Sequence, residues 1–182
     1  QMYHLRQKHP LTEQEQEDYF KNVVSKLFLE EKPTQLLFSY LINGKLVGYG
    51  GLVHIDWESK KAEVSFIMNT QLEDDHFDFH WSTYLSLIEE VAFSELCFNS
   101  LFTYAYDLRP HLYKTLENNE YQLTAQLKNE IEINGKLTDV LIHEKNNPLS
   151  IRLANEEDTE RLFHWSNDPL TRSQSYNDET IS

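Results

Sequence analysis

The polarity pattern changes period between Ala62 and Ala92. Ala62-Glu63-Val64-Ser65-Phe66-Ile67-Met68 is a β-branched and aromatic run of strand length. Trp81, Tyr84, Leu85, Ile88, Val91 and Ala92 then recur every three or four positions, the stripe of an amphipathic helix. Between them, Asn69 to His80 is acidic and aromatic, and it predicts a turn. A strand that feeds a helix start is a common seat for a phosphate, because unpaired backbone N–H groups and the helix dipole point at it. Such turns usually carry glycine so that the backbone can come close to the anion. This one has none.

The rest of the chain divides in the same way. Thr12 with Glu15 forms a capping-box pattern, and Tyr19, Phe20, Val23, Val24 and Leu27 predict one apolar helix face behind it. Gln35 to Ile42 and Leu46 to Ile55 alternate as strands around Asn43-Gly44, a strong hairpin signal. Leu101 to Tyr106 predicts a strand. Pro110 to Asn119 predicts a short helix with proline in its first turn. Tyr121 to Ile133 and Lys136 to His143 predict a closing hairpin around Asn134-Gly135. Asn146-Asn147-Pro148 marks a boundary. Beyond it, Ser150 to Ala154 predicts a short strand. Asn155 caps a helix whose first turn is acidic and whose apolar positions are Leu162, Phe163 and Trp165.

Composition narrows the function. The 182 residues are 40% hydrophobic with only five glycines and five prolines, which suits an ordinary folded domain with a real core. A formal net charge of −14 argues against nucleic acid and anionic membranes as partners and favours a cationic or amine one. The single cysteine, Cys97, rules out a disulfide within the chain and is expected in the core. No membrane span or signal peptide is evident, so a cytoplasmic location is the default expectation. Gln1 in place of a starting methionine fits a fragment of a longer protein.

The element order is helix, hairpin, strand, helix, strand, helix, hairpin. Over residues 11–145 it resembles the GNAT superfamily of acyl-CoA-dependent N-acyltransferases, nearest the branch that acetylates protein N-termini and amino sugars. The segments that carry the resemblance are Asn43 to Leu52, Ala62 to Met68 and Asn134 to Leu141. The resemblance implies an α/β (α+β) fold: a mixed, mostly antiparallel central sheet flanked by helices. Residues 1–147 would form a GNAT-like domain lacking its first strand. Residues 148–182 look like the start of a GNAT domain, which either completes the first or begins a truncated second. An uncovered sheet edge would admit a homodimer or strand exchange.

The resemblance also assigns roles. Acetyl-CoA would be the co-substrate and a small amine or amino sugar the acceptor. Glu63 would be the base and Tyr113 the acid for the departing sulfur. Phe66, Ile67 and Met68 would line the pantetheine arm through their backbone, with His76, His80 and Trp81 near the pyrophosphate. His80 and Arg109 could both offer positive charge there. That pyrophosphate loop is degenerate, since bulky Phe77, Phe79 or Trp81 stand where the family has small residues. The glycine the family often carries before the aromatic that follows the short helix is Glu120 here. His76 and His80 have a spacing that can hold a metal, but no third ligand is evident and none is expected. Two readings follow: an N-acetyltransferase, or a GNAT-like domain with a structural or regulatory binding role.

Overall fold

The computed structural model describes residues 10–149 and 151–176. Two compact units divide between Asn147 and Pro148.

The first unit opens with α1 (Glu13–Tyr19), whose capping box forms as expected. Glu15 N–H donates to Thr12 Oγ1 at 3.2 Å, and Thr12 N–H donates to Glu15 Oε2 at 2.8 Å. The helix runs on through a π-helical turn, Phe20–Val24, into α2 (Ser25–Leu27). Of its expected apolar face only Val24 is buried; Phe20 and Val23 remain exposed.

Six strands follow: β1 (Leu36–Ile42), β2 (Lys45–Asp56), β3 (Lys61–Met68), β4 (Ser100–Tyr106), β5 (Gln122–Ile133) and β6 (Lys136–Asn146). Their order in the sheet is β1-β2-β3-β4-β6-β5. Every neighbouring pair is antiparallel except β3 and β4. The two Asn-Gly hairpins close with positive φ at both turn residues, 50° and 78° at Asn43-Gly44 and 52° and 76° at Asn134-Gly135. That is the turn whose twist matches paired strands. β1, β2 and β3 lie very close where glycine allows it. A Cβ on Gly50 would stand 2.0 Å from the Ser65 carbonyl oxygen.

β3 leads into α3 (Thr70–Glu89), which ends in a π-helical turn, Glu90–Glu95. The turn expected from Asn69 to His80 is therefore helix. Asn69 caps it by accepting from Gln71 N–H at 2.9 Å, and acidic Glu73 suits the positive end of the dipole. The helix breaks at one residue, His76, with φ −140° and ψ 35°. Leu72 and Phe77, on either side of the break, both pack on the core.

That core lies between the sheet and α3 with α4 (Pro110–Asn118). Leu52, Ala62, Val64, Phe66 and Met68 meet Trp81, Tyr84, Leu85, Ile88, Leu112 and Leu116. Phe66 stacks on Tyr84 with ring centroids 3.8 Å apart. Cys97 is exposed, contrary to expectation. It takes φ 54° where the π-helical turn ends, and the next residue, Phe98, fills the buried position.

In the second unit, 151–154 forms no strand. Arg152 instead forks onto Asp158 at 2.7 and 2.6 Å, so the segment buttresses the following helix start. The Asn155 cap forms as expected, followed by a 3-10 turn, Glu156–Asp158, and α5 (Thr159–Ser166). Leu162, Phe163 and Trp165 are exposed. A further short helix, α6 (Pro169–Ser173), starts under an Asp168 cap that sequence patterning did not reveal. Among the described residues no helix is long and apolar enough to cross a membrane.

Candidate active site

β3 and β4 pair over three positions only: Lys61 with Ser100, Ala62 with Leu101 and Glu63 with Phe102. Beyond Glu63 the two strands diverge. On that side, among the described residues, Val64 to Met68 has no partner strand, while β2 continues to pair with its other edge as far as Met68. Backbone polar groups are obligatory hydrogen-bonding groups, so an open edge inside a sheet is a place for a ligand to add its own. Phe66, Ile67 and Met68 lie along this open half. The side chains of Phe66 and Met68 are turned into the core, which leaves their backbone for contact.

Glu63 is the last paired residue, at the apex of the divergence. It is a buried carboxylate, and its Oε2 lies 2.8 Å from Nδ1 of His54. His54 arrives there through a β-bulge. Val53 pairs with Glu63 and Asp56 with Lys61, so two residues of β2 stand opposite one of β3. His54 takes φ 49° within it. No glycine or turn residue in the sequence signals this bulge.

Tyr113, on the first turns of α4, donates its hydroxyl to the Tyr106 carbonyl at 2.7 Å, at the end of β4. Its ring stacks on His143 of β6, with centroids 5.5 Å apart. Burial, helped by the charge of Asp107, pushes the Tyr113 hydroxyl up to about 12, so it keeps its proton at neutral pH.

His76 sits exposed at the break in α3. His80 and Trp81 lie beyond it, with side chains in the interior. His80 Nδ1 shares a hydrogen bond with the Tyr40 hydroxyl at 3.0 Å, and Trp81 packs edge-on to Phe66 at 5.2 Å. Burial, with the neighbouring His76, lowers the pKa of His80. Its imidazole is therefore set for packing in its neutral form rather than for charge. The cation near the helix start is Arg109 instead. It pairs with Glu73 and lies 5.3 Å over the Phe77 ring. These three residues help line a cavity of about 900 Å³, shared with Asp74, Asp78, His111 and the β5–β6 turn. No cluster of three or more metal-ligating side chains occurs among the described residues.

A family model described as an acetyltransferase (GNAT) domain matches residues 1–142. The chain belongs to that family. Solved structures agree in fold. A spermidine N-acetyltransferase from Vibrio cholerae, in complex with CoA and spermine, superposes with TM-score 0.69 at 16% identity, covering 80% of this chain and 82% of that one. A dodecameric spermidine N-acetyltransferase from the same organism gives TM-score 0.64 at 18% identity, over 73% and 75% of the two chains. No curated protein matches the chain by sequence. Membership of an acetyltransferase family supports acetyl-CoA as the co-substrate and N-acetyl transfer to an amine as the reaction. The open β3 edge fits the arm of that co-substrate. The acidic, glycine-free helix start fits its phosphates less well.

Proposed function

We propose that this chain transfers an acetyl group from acetyl-CoA to a primary amine, carried by a small molecule, an amino sugar or a protein N-terminus. A small cationic amine is the favoured acceptor. The observation that carries the reading is the divergence of β3 from β4 at Glu63, with a buried carboxylate at its apex and a tyrosine hydroxyl at the end of the facing strand. The net charge of −14 supports a cationic acceptor by drawing it in. The fold's likeness to enzymes named for spermidine points the same way.

In this reading the backbone of Phe66, Ile67 and Met68 holds the pantetheine arm, and the break at His76 lies toward the phosphates. His80 and Trp81 support that helix start from within the core. Glu63 removes a proton from the acceptor ammonium, which makes the amine a nucleophile. Tyr113 turns from the Tyr106 carbonyl to give its proton to the departing sulfur. Each positioned acid or base of this kind contributes about 10²–10⁴-fold. Within the described residues of the first unit β1 is the terminal strand of the sheet, and its outer edge suits self-association, as a homodimer or by strand exchange, which light scattering would report.

A second reading has its own observation. Glu73 already holds Arg109, and Asp74 and Asp78 line the same cavity as Lys136, so carboxylates outnumber cations at the seat for phosphates. A structural or regulatory GNAT-like domain would tolerate that. Thiol release from acetyl-CoA, measured across a panel of polyamines, amino sugars and N-terminal peptides, separates the two. Amine-dependent release supports the enzyme. None with any acceptor, from protein whose folding is verified, leaves the binding role.

A further inference from the structure

A buried base has to return its proton to water before the next turnover. The Glu63 side chain is only 9% exposed, while the side chain of His54, bonded to it, is 65% exposed. The bulge that puts His54 there costs a β-strand residue its ordinary conformation: φ is 49°, in the left-handed region that favours glycine. The sequence has histidine at this position, and its Nδ1 meets Glu63 Oε2 at 2.8 Å. Histidine is the side chain suited to pass a proton, because one ring nitrogen can take it while the other releases one. Together the geometry and the exposure gradient make a one-residue path from the apex of the strand divergence to solvent.

We propose that His54 is the proton exit for Glu63. It is a positioning and relay residue that acts through the carboxylate and does not touch the reacting atoms. The N–H bond of the acceptor ammonium breaks and an O–H bond forms on Glu63. That proton crosses the hydrogen bond to Nδ1 of His54 in its Nε2–H tautomer, Nε2 releases its own proton to water, and the exposed ring exchanges its Nδ1 proton with solvent before the next turnover. The net change is one proton moved from ammonium to solvent, with no change of oxidation state. The inference rests on the reading of Glu63 as the base.

The test is steady-state acetyl transfer by the whole chain, with wild type, His54→Ala, His54→Asn and Glu63→Gln compared after thermal melts show that each folds. With His54→Ala, kcat should fall about tenfold, less than the ~10²–10⁴-fold of a direct acid or base, and both KM values should stay within about twofold. Added imidazole should restore most of the missing rate. His54→Asn keeps a hydrogen-bonding side chain toward Glu63 but cannot carry a proton, so it should be as slow as His54→Ala. Wild-type turnover in His54→Asn, or no response of His54→Ala to imidazole, would reduce His54 to a hydrogen-bond partner and overturn the relay while leaving the acetyltransferase intact. Unchanged turnover in Glu63→Gln removes the base itself, and the relay with it. A wild-type chain that acetylates no amine overturns both readings.

Discussion

The carboxylate of Glu73, in the first turn of α3, grips the guanidinium of Arg109, the residue just before α4. Both side chains are largely covered, and the guanidinium also rests on the Phe77 ring. Arg109 is the cation best placed beside the helix start, and the pair joins α3 to the β4–α4 connection. An anion arriving there has to compete with a carboxylate that is already in contact.

Acetyl-CoA should therefore bind weakly, with a dissociation constant above about 100 μM, or less than roughly 5.5 kcal/mol of affinity. Glu73→Gln removes the competitor and should tighten binding about fivefold, the effect of ~1 kcal/mol for one charge at a partly exposed site. Calorimetry reads both values. A low-micromolar constant in wild type, or weaker binding in the variant, would show that the pair does not oppose the phosphates.

Glu63→Gln and Tyr113→Phe should each lower kcat by about 10²–10⁴-fold in folded protein. The two losses have different origins. Glutamine keeps the shape of Glu63 but cannot take a proton, and phenylalanine keeps the stack on His143 but has none to give. Full turnover in either variant would remove that residue from the mechanism.

Much of the frame was legible because it is written in local periods. The change from strand to helix spacing across Met68 located β3 and α3, and the two Asn-Gly pairs fixed two hairpins with positive φ at both residues. The segment Asn69 to His80 misled because its acidic and aromatic run lies between a strand period and a helix period and so reads as a turn. Gln71, Leu72 and Glu73 are good helix formers, and Asn69 is a good cap. The site was harder to read because it depends on pairings between distant residues. His54 reaches Glu63 only through a bulge, and Glu73 meets Arg109 across 36 positions. The expected strand at Ser150 to Ala154 failed over 151–154, where Arg152 found Asp158 instead. Ser150 itself lies outside the described residues.

Glu120 marks a departure from the family that carries a stability consequence. α4 ends with Tyr121 N–H donating to the Leu116 carbonyl and Glu120 N–H to the Glu117 carbonyl, both at 3.0 Å. That is the Schellman arrangement, and it puts Glu120 at φ 67°, where glycine is normal. Glu120→Gly should relieve the strain and stabilise the chain by about 1 kcal/mol. At this chain length that raises the melting temperature by roughly 3 °C. The substitution also removes the ion pair between Glu120 and Lys145, but at 3.6 Å and with an exposed carboxylate that pair is worth little. A lower melting temperature would mean that the turn is held by something other than the backbone.

Two histidines set the response to mild acid. Burial lowers the pKa of His80, with the charge of His76 adding to it. Burial also lowers the pKa of His143, against the opposing pull of Glu117. Both folded values lie below the 6.5 of the unfolded chain. The unfolded state therefore binds more protons as pH falls below about 6.5, and stability declines with it. Asp139 and Asp158 are shifted down from 3.8 by their partners, chiefly Lys128 and Arg152, so their contribution is lost only at lower pH. Thermal melts should show the melting temperature falling between pH 7.5 and pH 5, within the window these histidines define and above the carboxylate one. Replacing both histidines with glutamine should flatten that slope, whatever it does to the stability at pH 7.5. A wild-type melting temperature that holds steady down to pH 5 would mean that neither imidazole is kept neutral by the fold.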